Sequence, residues 1–198
     1  MRYSDTHKDE TRKKVVQAAA AAVRAKGPDQ VGVAEIMAEV GLTHGGFYAH
    51  FPNKQALIVA AVTESFDQGR RRFGRLTGGQ TGAEALATYI DAYLTLEHRA
   101  RPERGCPLAA MASDLPRQGP AVRAVFDAGV LGVIGRVAAW LPMGDDAERR
   151  GLAGSLVAEM AGAVSLSRAI GDDAVAADFL EQSRLRIRAR AGVPPPKA

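Results

Sequence analysis

Residues 33–57 read VAEIMAEVGLTHGGFYAHFPNKQAL, and the order of residue types in this stretch decides the fold. Val33, Ile36, Met37 and Val40 recur at the spacing of one helix face. Gly41 follows, a residue that lets a chain leave a helix through the left-handed region. Thr43 suits the N-cap of a second helix, its side-chain oxygen placed to accept from a backbone N–H near Gly45 or Gly46. Pro52 ends that helix, expected over residues 44–50, and Asn53 caps the next one. Two short helices joined by a glycine turn form a helix-turn-helix.

The second helix breaks a local rule. Gly45 and Gly46 each cost roughly 1 kcal/mol relative to alanine in a helix interior. Their presence is intelligible where the backbone must come close to something bulky, as at the floor of a DNA major groove. Phe47 and Phe51, four apart, supply the apolar stripe that docks the helix on its domain, while Tyr48 and His50 project polar tips from other faces. Lys54 stands in the first turn of the next helix, where an acid is the ordinary choice. A base there suits a phosphate that also meets the backbone N–H groups. These features assign His44, Gly45 and Gly46 to base edges, and Thr43, Tyr48, His50 and Lys54 to phosphates.

The run GLTHGGFYAHFPNKQAL resembles the DNA-binding signature of the TetR family of bacterial transcriptional regulators, and the likeness extends from about Thr11 to Val62. The upstream helix TRKKVVQAAAAAVRAKG also falls where that pattern puts it. Pro28 and Gly32 depart from it: the family commonly has an aromatic at the first position and a Ser or Thr cap at the second. Glycine remains an acceptable N-cap. The resemblance implies an all-α protein with an N-terminal three-helix helix-turn-helix DNA-binding domain, residues 1–52. A larger helical domain for ligand binding and dimerisation, residues 53–198, would follow. It further implies a homodimer that sets two recognition helices about one DNA turn apart on a palindromic operator. Such a protein acts as a repressor that a small-molecule effector releases.

Composition is consistent with that reading. The 198 residues carry a formal charge of +4 and a pI near 9.5, which suits a polyanionic partner. Lys8, Arg12, Lys13 and Lys14 crowd the start of the first helix and favour phosphate contact, whereas Arg70, Arg71, Arg72 and Arg75 read as a solvated face. No alternating run signals a strand. No apolar run approaches the roughly 20 residues of a bilayer span, and the polar N-terminus lacks a signal-peptide pattern, so a cytoplasmic protein is expected. A single cysteine forms no internal disulfide and suits a reducing compartment. His44 and His50, six apart, share no helix face, and no metal or cofactor is expected. No nucleophile, base and orienting acid form a set, which disfavours a helical enzyme. The remaining alternative is a small-molecule-binding module with a non-reading head, and the intact run from Thr43 to Lys54 argues against it.

The first helix is expected from about Thr6 or Asp9 to Lys26, and a fourth after Asn53 carries Leu57, Ile58, Ala61, Val62 and Phe66 inward. TGGQTG, residues 77–82, reads as a loop. Helices follow around Leu86 to Leu94, from Pro107 to Pro116, from Val122 to Trp140, and over residues 146–170 and 173–191. By the resemblance the middle helices enclose an effector. Tyr89, Tyr93, Met111, Phe126 and Trp140 are candidates to line that pocket, or to fill a core. The penultimate helix is smooth with Gly151, Ala153, Gly154, Ala158, Ala161, Gly162 and Ala163. By the resemblance the last two helices form a four-helix dimer interface, which would place Leu152, Leu156, Met160, Phe179, Leu180 and Ile187 there. The basic tail RLRIRARAGVPPPKA reads as frayed.

Cys106 stands in RGCPLAAMASDL. Pro107 at a first helical position makes the cysteine an N-cap. A thiol there, with Arg101 and Arg104 nearby in sequence, has surroundings that favour the thiolate and its oxidation or alkylation. The Gly-Cys start also resembles a subgroup of TetR-like regulators, some of which respond to electrophiles or oxidants. The competing reading is a small buried packing residue.

Overall fold

The computed structural model describes residues 2–194, which are helical and, among the described residues, contain no strand. The helices are α1 (Arg2–Lys26), α2 (Val33–Glu39), α3 (Lys54–Thr77), α4 (Gly82–Tyr93), α5 (Leu96–Ala100), α6 (Pro107–Met111), α7 (Pro120–Trp140), α8 (Asp146–Ser167) and α9 (Asp173–Arg190). Segments of 3₁₀ helix occupy His44–Ala49, Pro102–Arg104 and Leu115–Arg117. No described helix is long and apolar enough to cross a membrane.

Two compact units divide the chain. The first runs up to Gln68 and adds Pro102–Asp127; the second comprises Gly69–Arg101 and everything from Ala128 onward. In the first unit α1 buries Val15, Ala19 and Val23 at the spacing of one face, against a core that includes Ile36, Met37, Phe47, Phe51, Leu57 and Val62. The α1 helix begins at Arg2, earlier than the expected Thr6 or Asp9.

Segment 102–127 braces this core, which the sequence did not foreshadow. Arg24 Nε donates to the Glu103 carbonyl at 2.9 Å, and Gln118 Nε2 donates to Asp29 Oδ1 at 2.8 Å. A Cβ at Gly119 would lie 2.4 Å from Gln55 Nε2, so the chain passes α3 closely there. The helix expected from Pro107 to Pro116 stops at Met111. Asp114 N–H turns back to the Met111 carbonyl at 2.9 Å, and Pro116, lacking an N–H, cannot extend an α-helix through itself.

In the second unit α4 buries Leu86, Tyr89, Ile90 and Tyr93. The α5 helix was unanticipated, being a single turn without a readable stripe. Thr95 caps it, accepting from His98 N at 3.1 Å. Arg99 fastens it to the end of α8, donating to the carbonyls of Ser167 at 2.8 Å and Ile170 at 2.6 Å, and to Asp173 at 2.6 Å. A capping box of Asp145 and Glu148 starts α8, and Asp172 caps α9.

The expectation of a frayed tail is corrected over residues 184–194. Helix α9 continues to Arg190. Its buried Arg188 pairs with Asp91 of α4 at 2.7 Å and also donates to the Pro194 carbonyl. A buried guanidinium with two acceptors holds the chain end in place. The final residues of that tail, 195–198, lie outside the described residues.

Candidate nucleic-acid interface

The turn between α2 and the recognition segment is built by the backbone. Gly41 adopts φ +75°, a conformation that favours glycine. The Gly41 amide donates to the Ala38 carbonyl at 3.0 Å, and the Leu42 amide donates to Met37 at 2.9 Å, the double bond of a Schellman motif.

Residues 44–49 wind as 3₁₀ rather than α-helix, correcting the expected second helix over 44–50. The reason is local: two glycines weaken the α conformation, and Pro52 limits the segment's length. Thr43 holds the N-cap position but its side chain makes no capping bond. Its backbone carbonyl accepts from Gly46 N–H at 3.0 Å instead, a one-turn 3₁₀ bond. Asn53 behaves as expected, its side chain accepting from Ala56 N–H at 2.9 Å to cap α3.

Side-chain placement separates a buried stripe from an exposed face. Phe47 and Phe51 are buried and stack at 5.6 Å. The guanidinium of Arg12, expected near phosphate, lies 4.7 Å over the Phe51 ring and ties α1 to the segment. Tyr48 is 66% exposed, packing edge-on against Phe47 at 5.3 Å and His44 at 6.4 Å. Thr43, His44, Gly45 and Lys54 are exposed as well, while Gly46 and His50 are half-buried. His50 Nδ1 is buried without a hydrogen-bond partner among the described residues. Lys54 Nζ donates to the Asp29 carbonyl at 3.1 Å, leaving it at the surface beside the start of α3.

The glycines are informative in three dimensions. A Cβ at Gly45 would meet nothing within 4 Å, and one at Gly46 would make ordinary contacts at 3.7 Å with Met37 and Thr43. Neither glycine has a positive φ. The protein itself therefore does not demand glycine at Gly45.

The remaining candidates fall in separate places. Tyr89, Tyr93 and Trp140 form one aromatic cluster in the second unit, with ring centroids of Tyr89 at 5.8 Å from Tyr93 and 5.6 Å from Trp140. Phe73, not foreseen, joins it at 4.2 Å from Tyr89. Phe126 and Met111 belong to the first unit, where Phe126 packs on Phe66 at 5.5 Å. Leu156, Met160, Leu180 and Ile187 are consumed inside the protomer, and Leu152 and Phe179 are half-buried. Leu166, Val175 and Leu185 are the large apolar residues that α8 and α9 leave exposed. Cys106 is buried at the N-cap of the five-residue α6. Among the described residues no His, Cys, Asp and Glu cluster could hold a metal ion.

An exposed, glycine-bearing segment held by a buried aromatic pair and preceded by a Schellman turn defines a helix-turn-helix domain. Residues 15–61 match the sequence profile described as "Bacterial regulatory proteins, tetR family". Two relatives from Bacillus subtilis (strain 168) are named uncharacterized HTH-type transcriptional regulators. YvdT is 32% identical over 90 residues, 43% of this chain and 45% of its own. YfiR is 22% identical over 85 residues, 43% and 42% of the two chains. The matched stretch thus spans less than half the length of these curated relatives. Among solved structures, a TetR transcriptional regulator from Chloroflexus aurantiacus J-10-fl is 26% identical. It superposes with a TM-score of 0.76 over 96% of each chain. The chain is thus similar to TetR-family regulators, in sequence over residues 15–61 and in fold over nearly its whole length.

Proposed function

We propose that this protein is a sequence-specific DNA-binding transcriptional repressor that acts as a cytoplasmic homodimer and leaves a palindromic operator when an effector binds or Cys106 is modified. One observation carries the reading: Gly45 is exposed on the recognition segment, and the protein's own packing gives no reason for a glycine there. A groove floor in contact with the backbone supplies that reason. His44, Gly45 and Gly46 then face bases, while Thr43, Tyr48, His50 and Lys54 face phosphates. The exposure of Thr43, His44, Tyr48 and Lys54 supports these roles.

Exposed Leu166, Val175 and Leu185 support a dimer through α8 and α9. The aromatic cluster around Tyr89, Tyr93 and Trp140 supports an effector with an apolar or aromatic body. The reading is tested by fluorescence anisotropy on DNA upstream of the protein's own gene across a salt series. Competitor-resistant binding is expected. Loss of Lys54 as Lys54→Ala should lower the salt slope by roughly 1 unit; an unchanged slope contradicts its phosphate role.

A further inference from the structure

Lys54 lies inside residues 15–61, the stretch that matches the regulator profile, yet its position depends on residues far outside that stretch. Lys54 Nζ donates to the Asp29 carbonyl at 3.1 Å. Asp29 is held in turn: its Oδ1 accepts from Gln118 Nε2 at 2.8 Å, 89 positions along the chain. Neighbours of Gln118 approach the same region twice more. Asp114, paired with Arg117 at 2.6 Å, lies so close to the end of α1 that a Cβ at Gly27 would stand 2.9 Å from its Oδ2. Gly119 meets Gln55, the residue after Lys54, whose Nε2 lies where a Cβ on Gly119 would go. Residues 114–119 therefore form a strap across residues 27–29 and the first turn of α3, all within one compact unit.

We propose that Gln118, acting through Asp29, is a positioning residue for the phosphate contact of Lys54. A lysine carries three N–H donors on a flexible four-carbon stem. One donor given to the Asp29 carbonyl leaves two for a phosphate and fixes where the ammonium stands before DNA arrives. Ordering of the stem then weighs less against binding. The carbonyl can serve as an anchor only if Asp29 is itself held. Asp29 is exposed, so its side chain is placed by the Gln118 bond rather than by burial. Cutting that bond lets the Asp29 carbonyl drift and returns the Lys54 stem to its many rotamers. The effect on DNA rests on the DNA-binding reading and on the phosphate role given to Lys54; the strap does not.

NMR relaxation of the lysine side-chain methylenes in the free protein reads the strap without DNA. Lys54 should be more ordered than the exposed Lys13 and Lys14, and should fall to their level in Gln118→Ala. A wild-type Lys54 as mobile as those two, or one unchanged in Gln118→Ala, overturns the strap. Anisotropy across a salt series, on a duplex selected by the wild type, reads the consequence. Gln118→Ala should weaken binding about tenfold, the scale of one hydrogen bond to a charged group. Its salt slope should fall by roughly 1 unit, which a loss of folding stability alone would not do. Lys54→Ala should cost little more in the Gln118→Ala background; additive losses overturn the positioning role. Asp29→Asn and Asp29→Ala remove the same charge, but only asparagine keeps an oxygen for Gln118 Nε2. Asp29→Asn should therefore bind more tightly than Asp29→Ala and with the steeper slope, and equal binding overturns the proposal. Thermal melts check folding; if Gln118→Ala does not fold, the Asp29 pair decides. An unchanged slope in Lys54→Ala, or failure to select any duplex, overturns the positioning role together with the reading beneath it. Failure of the strap alone shows in the relaxation data while the slope effect of Lys54→Ala persists.

Discussion

The Gly46 amide donates to the Thr43 carbonyl at 3.0 Å, so the recognition segment starts on a tight backbone turn without help from the Thr43 hydroxyl. That frees the hydroxyl to point at a partner. It also leaves Gly45, between the two bonded residues, with open space where a side chain would stand. Gly45→Ala should therefore fold with an unchanged or slightly raised melting temperature, while its affinity for the operator falls about tenfold or more, the scale of one lost groove contact. Retained affinity in a folded Gly45→Ala would remove the close-approach argument.

Tyr48 and His44 should part company. Tyr48 is 66% exposed and is assigned to phosphate, so Tyr48→Ala should weaken binding to all duplexes by a similar factor. His44→Ala should change which bases are preferred at one pair of symmetric positions. Site profiles from random-sequence selection distinguish the two, and a His44→Ala profile identical to the wild type contradicts the base-facing role.

Dimerisation and folding are separable on α8. Leu166 is 62% exposed and Leu156 is fully buried. Leu166→Glu should leave the monomer folded and shift sedimentation toward the monomer. Leu156→Ala should instead destabilise the fold by about 2–5 kcal/mol, the range for emptying a core leucine site. A dimer unaffected by Leu166→Glu would place the interface elsewhere.

His98 gives the second unit a pH dependence. It is buried, its Nδ1 lies 2.7 Å from the Tyr93 carbonyl, and burial, aided by the charges of Arg168 and Arg72, lowers its pKa from 6.5 to about 4. A depressed histidine pKa means that the unfolded chain binds the proton first. The native state is thus favoured fully above pH 6.5, and this contribution is lost as pH falls from about 6.5 toward about 4. Urea or thermal melts across that window should show stability falling with acidification, and His98→Gln should flatten the slope. An equal slope in the variant would assign the dependence to other groups.

Much of the first unit was legible in sequence because its signals are local. The periodic apolar stripe of α2, Gly41 at the turn, Asn53 at the α3 cap and the Phe47–Phe51 pair each follow from neighbours within one or two turns. What escaped was set by distant contacts. Helix α5 is held by distant contacts: its own Arg99 reaches the Ser167 carbonyl, and Arg168 reaches back to the His98 carbonyl. Arg188 looked like part of a frayed basic tail until Asp91, 97 residues away, supplied its partner. Arg72 was read as a solvated charge but is half-buried and acts on His98. The apolar residues Leu156, Met160, Leu180 and Ile187 were recognisable as adhesive, yet periodicity cannot tell packing within a protomer from packing between two. Arg24 gave no signal in sequence at all, since its meaning depends on the Glu103 carbonyl, 79 positions away.

The most direct test of the central claim is selection of duplexes from a random pool by the purified protein, followed by competition anisotropy at fixed salt. A twofold-symmetric sequence should be enriched, with half-sites about one helical turn apart, and scrambled competitor should fail to displace it. A pool that shows no enriched sequence, bound only as weakly and as salt-sensitively as any DNA, would contradict a sequence-reading regulator.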